Sequence, residues 1–179
     1  MSAFFYFASD KPFKELLNPH EKIISINEAI SLGAEIPDYV LELDLDRDKT
    51  PMLYMDRKIR FNKETKELED GDFDDDFSIR PVPSEDMIDL YTDKPFFATV
   101  EIHRYTEGRG KNLLPYITKH MQTTDEMEIW YGWLDDVERP TIKMKEVPFS
   151  QLSEILLKEI NETHPTIKPL VHYCWKIQK

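Results

Sequence analysis

The sequence predicts an α+β protein built on an antiparallel sheet. Short runs in its second half alternate apolar and polar residues as half-buried strands do, and one later segment carries apolar residues at helical spacing. The chain of 179 residues is 40% hydrophobic and contains one cysteine, Cys174, in an apolar run. Such a chain can bury a core without disulfide bonds or a structural metal, and it fits a reducing compartment. Cys174 is interpreted as a buried, small apolar side chain.

Residues 96–134 predict a strand, a helix and a second strand. Phe96 to Tyr105 alternates as a strand with one buried face, and Glu126 to Leu134 is apolar on both faces. Between them we expect a turn at Gly108-Arg109-Gly110. A helix then follows, capped by Asn112 and ending near Gln122.

Residues 141–177 complete the pattern. Residues 141–147 predict a strand that forms a hairpin with the strand before it. Pro148 to Ile160 predicts an amphipathic helix, and Pro169 to Ile177 a final strand. The apolar face of that helix is expected to consist of Phe149, Leu152, Ile155, Leu156 and Ile160. The resulting order, βαββαβ, is that of a ferredoxin-like unit, an antiparallel four-stranded sheet with two helices on one face.

The N-terminal half predicts an irregular α+β extension of this sheet. Phe4 to Ala8 predicts a strand, and Ser25 to Glu28 has the spacing of a capping box ahead of a short helix that Gly33 ends. Further strands are expected at 39–45, 52–55 and 58–61. We expect one compact domain over 1–179; the alternative is an N-terminal region, 1–92, and a ferredoxin-like domain, 93–179.

The charge of the chain narrows the classes of partner. A formal net charge of −12 and a pI near 4.9 weigh against binding to nucleic acids and to anionic membranes, because both require clustered lysine and arginine. No apolar run approaches the length of a membrane helix, and none resembles a signal peptide. We therefore expect a soluble cytoplasmic protein, a monomer or a homodimer.

Carboxylates concentrate in one segment, which is predicted to be an exposed connection. Residues 67–76 hold seven carboxylates and no lysine or arginine. Asp70, Asp72 and Asp74 have the spacing that begins a calcium loop, as do Asp44, Asp46 and Asp48. Neither set has the glycine at the sixth position or the glutamate at the twelfth, so no metal site is predicted.

The segment Tyr105 to Leu114 could present free backbone N–H groups to a phosphate. It resembles the acyl-CoA motif of the GNAT acetyltransferases at Gly108, Gly110, Leu113 and Leu114, although Tyr105 stands where that family has glutamine or arginine. The resemblance implies an N-acetyltransferase-like enzyme. Its cofactor would bind at Gly108, Arg109, Gly110 and Lys111.

A second hypothesis takes the chain as a non-enzymatic binding module, and we prefer it. From its FFYFASDKPF opening through the INEAI helix, the chain resembles small bacterial proteins, which implies no catalytic residue. Some acidic bacterial α+β proteins act as immunity proteins or antitoxins against basic toxins. No catalytic residue, metal or cofactor is then expected. Contact with a basic protein is predicted for Asp70, Asp72, Asp74, Asp75, Asp76, Trp130 and Trp133, where the tryptophans are alternatively core residues.

Overall fold

The computed structural model describes residues 3–55, 60–62, 67–69, 73–83, 92–102, 105–133, 140–167 and 170–179. The chain divides into two compact units. The sheet unit comprises residues 1–17 and 73–179, and the inserted unit comprises residues 18–72. None of the helices in the described part of the chain has the length and apolar composition needed to cross a bilayer.

The described residues form eleven strands, four helices and one 3-10 turn. The strands are β1 (Ala3–Ser9), β2 (Glu21–Ser25), β3 (Pro51–Met55), β4 (Arg60–Asn62), β5 (Glu67–Glu69), β6 (Ser78–Val82), β7 (Phe96–Glu101), β8 (Glu126–Trp133), β9 (Thr141–Pro148), β10 (Thr166–Ile167) and β11 (Leu170–Gln178). The helices are α1 (Ile26–Ser31), α2 (Asp38–Leu41), α3 (Glu107–Met121) and α4 (Glu154–Glu162), and a 3-10 turn spans Phe149–Gln151. The α+β class is confirmed.

A seven-stranded sheet organises the sheet unit, in the order β10-β11-β8-β1-β7-β6, with β9 paired to β11. All pairs are antiparallel except β9 with β11. The predicted hairpin between residues 126–134 and 141–147 is wrong, because β8 pairs with β1 and β11 instead. The ferredoxin-like arrangement is not confirmed, since β1 lies between β7 and β8.

Helices α3 and α4 cover one face of this sheet. Their buried residues pack on one face of the central strands, where Phe7, Ile129 and Trp175 are buried. The helical contribution comes from Leu113, Ile117, Met121, Leu156, Leu157 and Ile160. Ile155 was predicted to be buried but is exposed. The reason is that α4 begins only at Glu154, where the Ser153 hydroxyl accepts the N–H of Leu156 at 3.3 Å.

The opposite face of the sheet holds a smaller aromatic cluster. The rings of Tyr6 and Trp130 stack at 6.0 Å, and both side chains are buried. The indole N–H of Trp130 donates to the Glu128 carboxylate at 2.7 Å, so this buried carboxylate has a partner. Cys174 belongs to the same cluster, and burial raises the pKa of its thiol. It is the buried apolar residue that the sequence predicts.

The inserted unit contains two short antiparallel pairs, β2 with β3 and β4 with β5. Helix α1 begins as predicted, with the Ser25 hydroxyl accepting the N–H of Glu28, and Gly33 follows it with a φ of 86°. The predicted strand at 39–45 is wrong. Residues Asp38–Leu41 instead form helix α2, and the Pro37 carbonyl just before it accepts the N–H of Val40 at 2.9 Å.

Candidate functional site

The acidic segment folds against the first turn of α3. Helix α3 begins at Glu107, where the Thr106 hydroxyl accepts the N–H of Arg109 at 3.1 Å, so Asn112 is not its cap. The Arg109 Nη2 atom lies 2.9 Å from a carboxylate oxygen of Asp76, and its Nε donates to the Phe73 carbonyl at 3.1 Å. The side chains of Arg109 and Asp76 are each 1% exposed. The acidic segment and the glycine-containing turn, which are separate in the sequence, are thus joined by one buried ion pair.

Both glycines of this turn lie against other side chains. A Cβ atom on Gly108 would overlap the Asp74 carboxylate, and one on Gly110 would overlap the Tyr105 hydroxyl group. The Asn112 side-chain amide also donates to the Asp74 carbonyl at 2.9 Å. The glycines therefore permit close packing of the chain on itself. A phosphate at this helix end would have to displace Asp74.

The predicted site residues that the structure describes do not form one surface. Asp74, Asp75 and Lys111 are exposed, whereas Asp76, Arg109, Gly110 and Trp130 are buried and Gly108 is half-buried. Asp70, Asp72 and the side chain of Trp133 lie outside the described residues. In this conformation a partner could contact Asp74 and Asp75 but not Asp76 or Trp130.

In the second set of aspartates with calcium-loop spacing, Asp46 and Asp48 contact other residues of the inserted unit. Asp46 forms an ion pair with Lys49 at 2.8 Å and accepts the N–H of Asp48. Asp48 accepts a hydrogen bond from the Asn27 side-chain amide at 2.8 Å. Within the described ranges, no three carboxylate, imidazole or thiol groups come close enough together to hold a metal ion.

Helix α2 and the residues on either side of it expose apolar and acidic side chains together. Tyr39 is 69% exposed and Leu43 is 53% exposed. We call this region the acidic–apolar surface and define it as Glu35, Asp38, Tyr39, Glu42, Leu43 and Asp44. The four carboxylates have no side-chain hydrogen bond or ion pair with any described residue. A sequence signal for this surface does exist. Pro37 can begin a helix, and after it Asp38 and Glu42 stand at i,i+4 spacing, as do Tyr39 and Leu43.

A second exposed apolar feature lies on the β2–β3 pair of the inserted unit. Ile23 and Leu53 are directly opposite each other across the two strands, and Ile23 is 77% exposed. The predicted strand at 52–55 is confirmed, and Leu53 on its outward face is 50% exposed. Such a face on a two-stranded sheet is typical of an interaction surface.

Glu126 is the centre of an ion-pair network at one end of the main sheet. Its carboxylate lies 2.7 Å from the Lys94 ammonium and 2.9 Å from that of Lys176, and it accepts a hydrogen bond from Gln178. Lys94 also pairs with Asp10 at 2.8 Å. Burial would raise the pKa of Glu126, but these hydrogen bonds and charges outweigh burial and hold the pKa at about 2. The network joins β8, β11 and the residues next to β1 and β7.

The lowered pKa of Glu126 predicts acid sensitivity. Because this pKa lies below that of an unfolded glutamate, the contribution of Glu126 to stability is complete above about pH 4.5 and is lost as the pH falls toward 2. The loss should amount to roughly 2–3 kcal/mol of the free energy of unfolding. Urea unfolding of the wild type and Glu126→Gln at pH 7, 4, 3 and 2 measures it. The two stabilities should converge at pH 2, and a difference that does not change with pH would contradict the assignment.

Comparison with known proteins identifies no relative of this chain. No protein-family model, curated protein or solved structure matches the chain.

Proposed function

We propose that the protein is a non-enzymatic binding module whose inserted unit engages a basic protein through the acidic–apolar surface. The observation that carries the proposal is the exposure of Tyr39 and Leu43 beside carboxylates that have no partner among the described residues. Large exposed apolar side chains, set among carboxylates that pair with no described residue, fit a surface that recognises another protein. A module of this kind would resemble the immunity proteins and antitoxins.

The distribution of charge supports this proposal. Residues 18–72 contain fourteen acidic and eight basic residues and thus carry half of the net charge of −12. A concentrated negative field speeds encounter with a basic partner. Tyr39 can then provide the desolvated aromatic contact that commonly dominates binding energy.

The acidic segment supports the proposal less than the inserted unit does. Asp76 forms a buried ion pair with Arg109, and the Asp74 side chain lies against the first turn of α3. Asp74 and Asp75 remain exposed and could add to the electrostatic attraction. The acetyltransferase alternative has no observation in its favour at this helix end, and a titration with acetyl-CoA would test it directly.

The experiment is an affinity capture from lysate of the source organism at two salt concentrations, followed by quantitative mass spectrometry. One basic protein should be retained at about 50 mM salt and lost at about 300 mM salt. At the higher salt concentration the attraction between surface charges is screened within a few ångströms. Asp38→Asn/Glu42→Gln/Asp44→Asn and Tyr39→Ala/Leu43→Ala should each reduce its recovery at least tenfold.

The matched control is Asp93→Asn/Glu146→Gln/Glu162→Gln, which removes the same charge from exposed positions of the sheet unit. This control should retain the partner. Equal losses in the two triple variants would mean that only net charge matters. Capture that none of the variants changes would reject the acidic–apolar surface as the contact.

A further inference from the structure

A pocket of about 290 Å³ lies in the sheet unit, whereas the acidic–apolar surface belongs to the inserted unit. It lies between the segment that follows β1 and the C-terminal half of α3. Its lining combines an apolar part, Leu16 and Tyr116, with His120 and three charged residues, Lys14, Glu15 and Lys119. This volume is near the lower limit of ligand sites and suits a molecule with one aromatic ring.

The walls of this pocket are held in place by hydrogen bonds. The Tyr116 hydroxyl donates to the Lys14 carbonyl at 2.6 Å, which fixes the segment to α3. Leu16 exchanges two backbone hydrogen bonds with Ile79 of β6, at 2.9 and 2.8 Å. Because both ends of the wall are tied to regular elements, the pocket is formed before any ligand arrives, and the entropy lost on binding is small.

His120 is the buried polar residue of the pocket. Its ring stacks on Phe13 at 4.2 Å, and its Nε2 atom shares a hydrogen bond of 2.9 Å with the Ser9 hydroxyl. Burial lowers the pKa of His120, so the imidazole is neutral at pH 7. Ser9 is fully buried and cannot reach a ligand as a nucleophile. The arrangement fits binding rather than covalent catalysis.

The charges at the rim select the class of ligand. Lys14 and Lys119 are exposed, and neither forms an ion pair with a described residue. Among the described residues that line the pocket, Glu15 is the single carboxylate, which leaves the rim positive in a chain whose net charge is −12. The remaining negative charge is largely screened beyond about 8 Å at physiological salt. A small anion is therefore attracted to this rim.

We propose that this pocket binds a small organic anion with an apolar body, of the class of aromatic carboxylates. The ring of the ligand would cover Tyr116 and Leu16 beside the imidazole of His120, while its carboxylate pairs with Lys14 and Lys119. This site is separate from the proposed protein-binding surface and does not depend on it.

The test is a titration of the full-length protein with phenylacetate and with its neutral isostere, phenylacetamide. Long-range ¹H–¹⁵N spectra follow the imidazole signals of His120, and the exposed His164 provides the reference. Phenylacetate should produce a saturable shift of His120 with a Kd of about 1 mM, as expected for so small a ligand. Phenylacetamide should bind at least fivefold more weakly.

Variants at exposed positions separate recognition of the anion from a general effect. Lys14→Gln and Lys119→Gln should each weaken phenylacetate binding about threefold, and Glu15→Gln should tighten it about twofold, as expected for exposed charges. Lys111→Gln, on the same helix but outside the pocket lining, should have no effect. The proposal is overturned by the absence of a saturable His120 shift, by equal affinity for the acid and the amide, or by an equal effect of Lys111→Gln and Lys119→Gln.

Discussion

Replacing Asp76 by asparagine is expected to lower the free energy of unfolding by about 3–5 kcal/mol, the usual penalty for an uncompensated buried charge. The substitution keeps the shape of the side chain but removes the charge that lies 2.9 Å from Arg109 Nη2. Both side chains are excluded from solvent, so water cannot replace the lost partner. Urea unfolding at pH 7, monitored by tryptophan fluorescence, measures the change.

The reverse variant and a double variant test whether the pair is the cause. Arg109→Met should destabilise the protein by a similar amount, whereas Asp76→Asn/Arg109→Met should lose less than the sum of the two, because no buried charge is left alone. The matched control is Glu159→Gln, which breaks the exposed Lys145–Glu159 pair at 2.6 Å. That change should remain below about 1 kcal/mol. Strict additivity of the two buried substitutions would contradict the assignment.

The elements of the sheet unit follow from local sequence patterns, but their order in the sheet does not. Residues 126–134 and 169–177 are apolar over most of their length, as buried strands are, and β8 and β11 appear where those patterns predict them. The position of β1 between β7 and β8 depends on pairing between residues at least 87 positions apart, such as Ser9 with Phe96. One signal did exist, since FFYFA is apolar on both faces, as expected of a central strand.

The incorrect predictions share a physical cause, which is that the local sequence fits two structures equally well and a contact outside the segment decides between them. A short alternating segment such as 39–45 fits either a strand or a helical turn, and Pro37 decides between them by fixing the backbone at the start of the turn. The glycines near Gly108 fit either a phosphate-binding turn or close packing. Only the tertiary contact of Asp74 with the first turn of α3 distinguishes these two interpretations. The Asp76–Arg109 pair itself has no local signal, because its partners lie on separate elements.

The central position of β1 predicts a second large effect. Phe7 is 0% exposed, and its ring lies 5.9 Å from that of Phe13 and 5.8 Å from that of Phe5. Phe7→Ala should lower the free energy of unfolding by about 3–5 kcal/mol, because the removed ring leaves a cavity against α3. Chemical denaturation compared with the wild type measures this loss.

Phe4 on the same strand supplies the control, since it is 37% exposed. Phe4→Ala removes an identical ring and should lower the free energy of unfolding by less than about 1.5 kcal/mol, in line with its partial burial. Comparing the two substitutions tests the position of β1 in the sheet, because the same side chain is removed in both. If β1 were a peripheral strand, both substitutions would have small and similar effects. A large difference requires a strand that faces the helices with one side only.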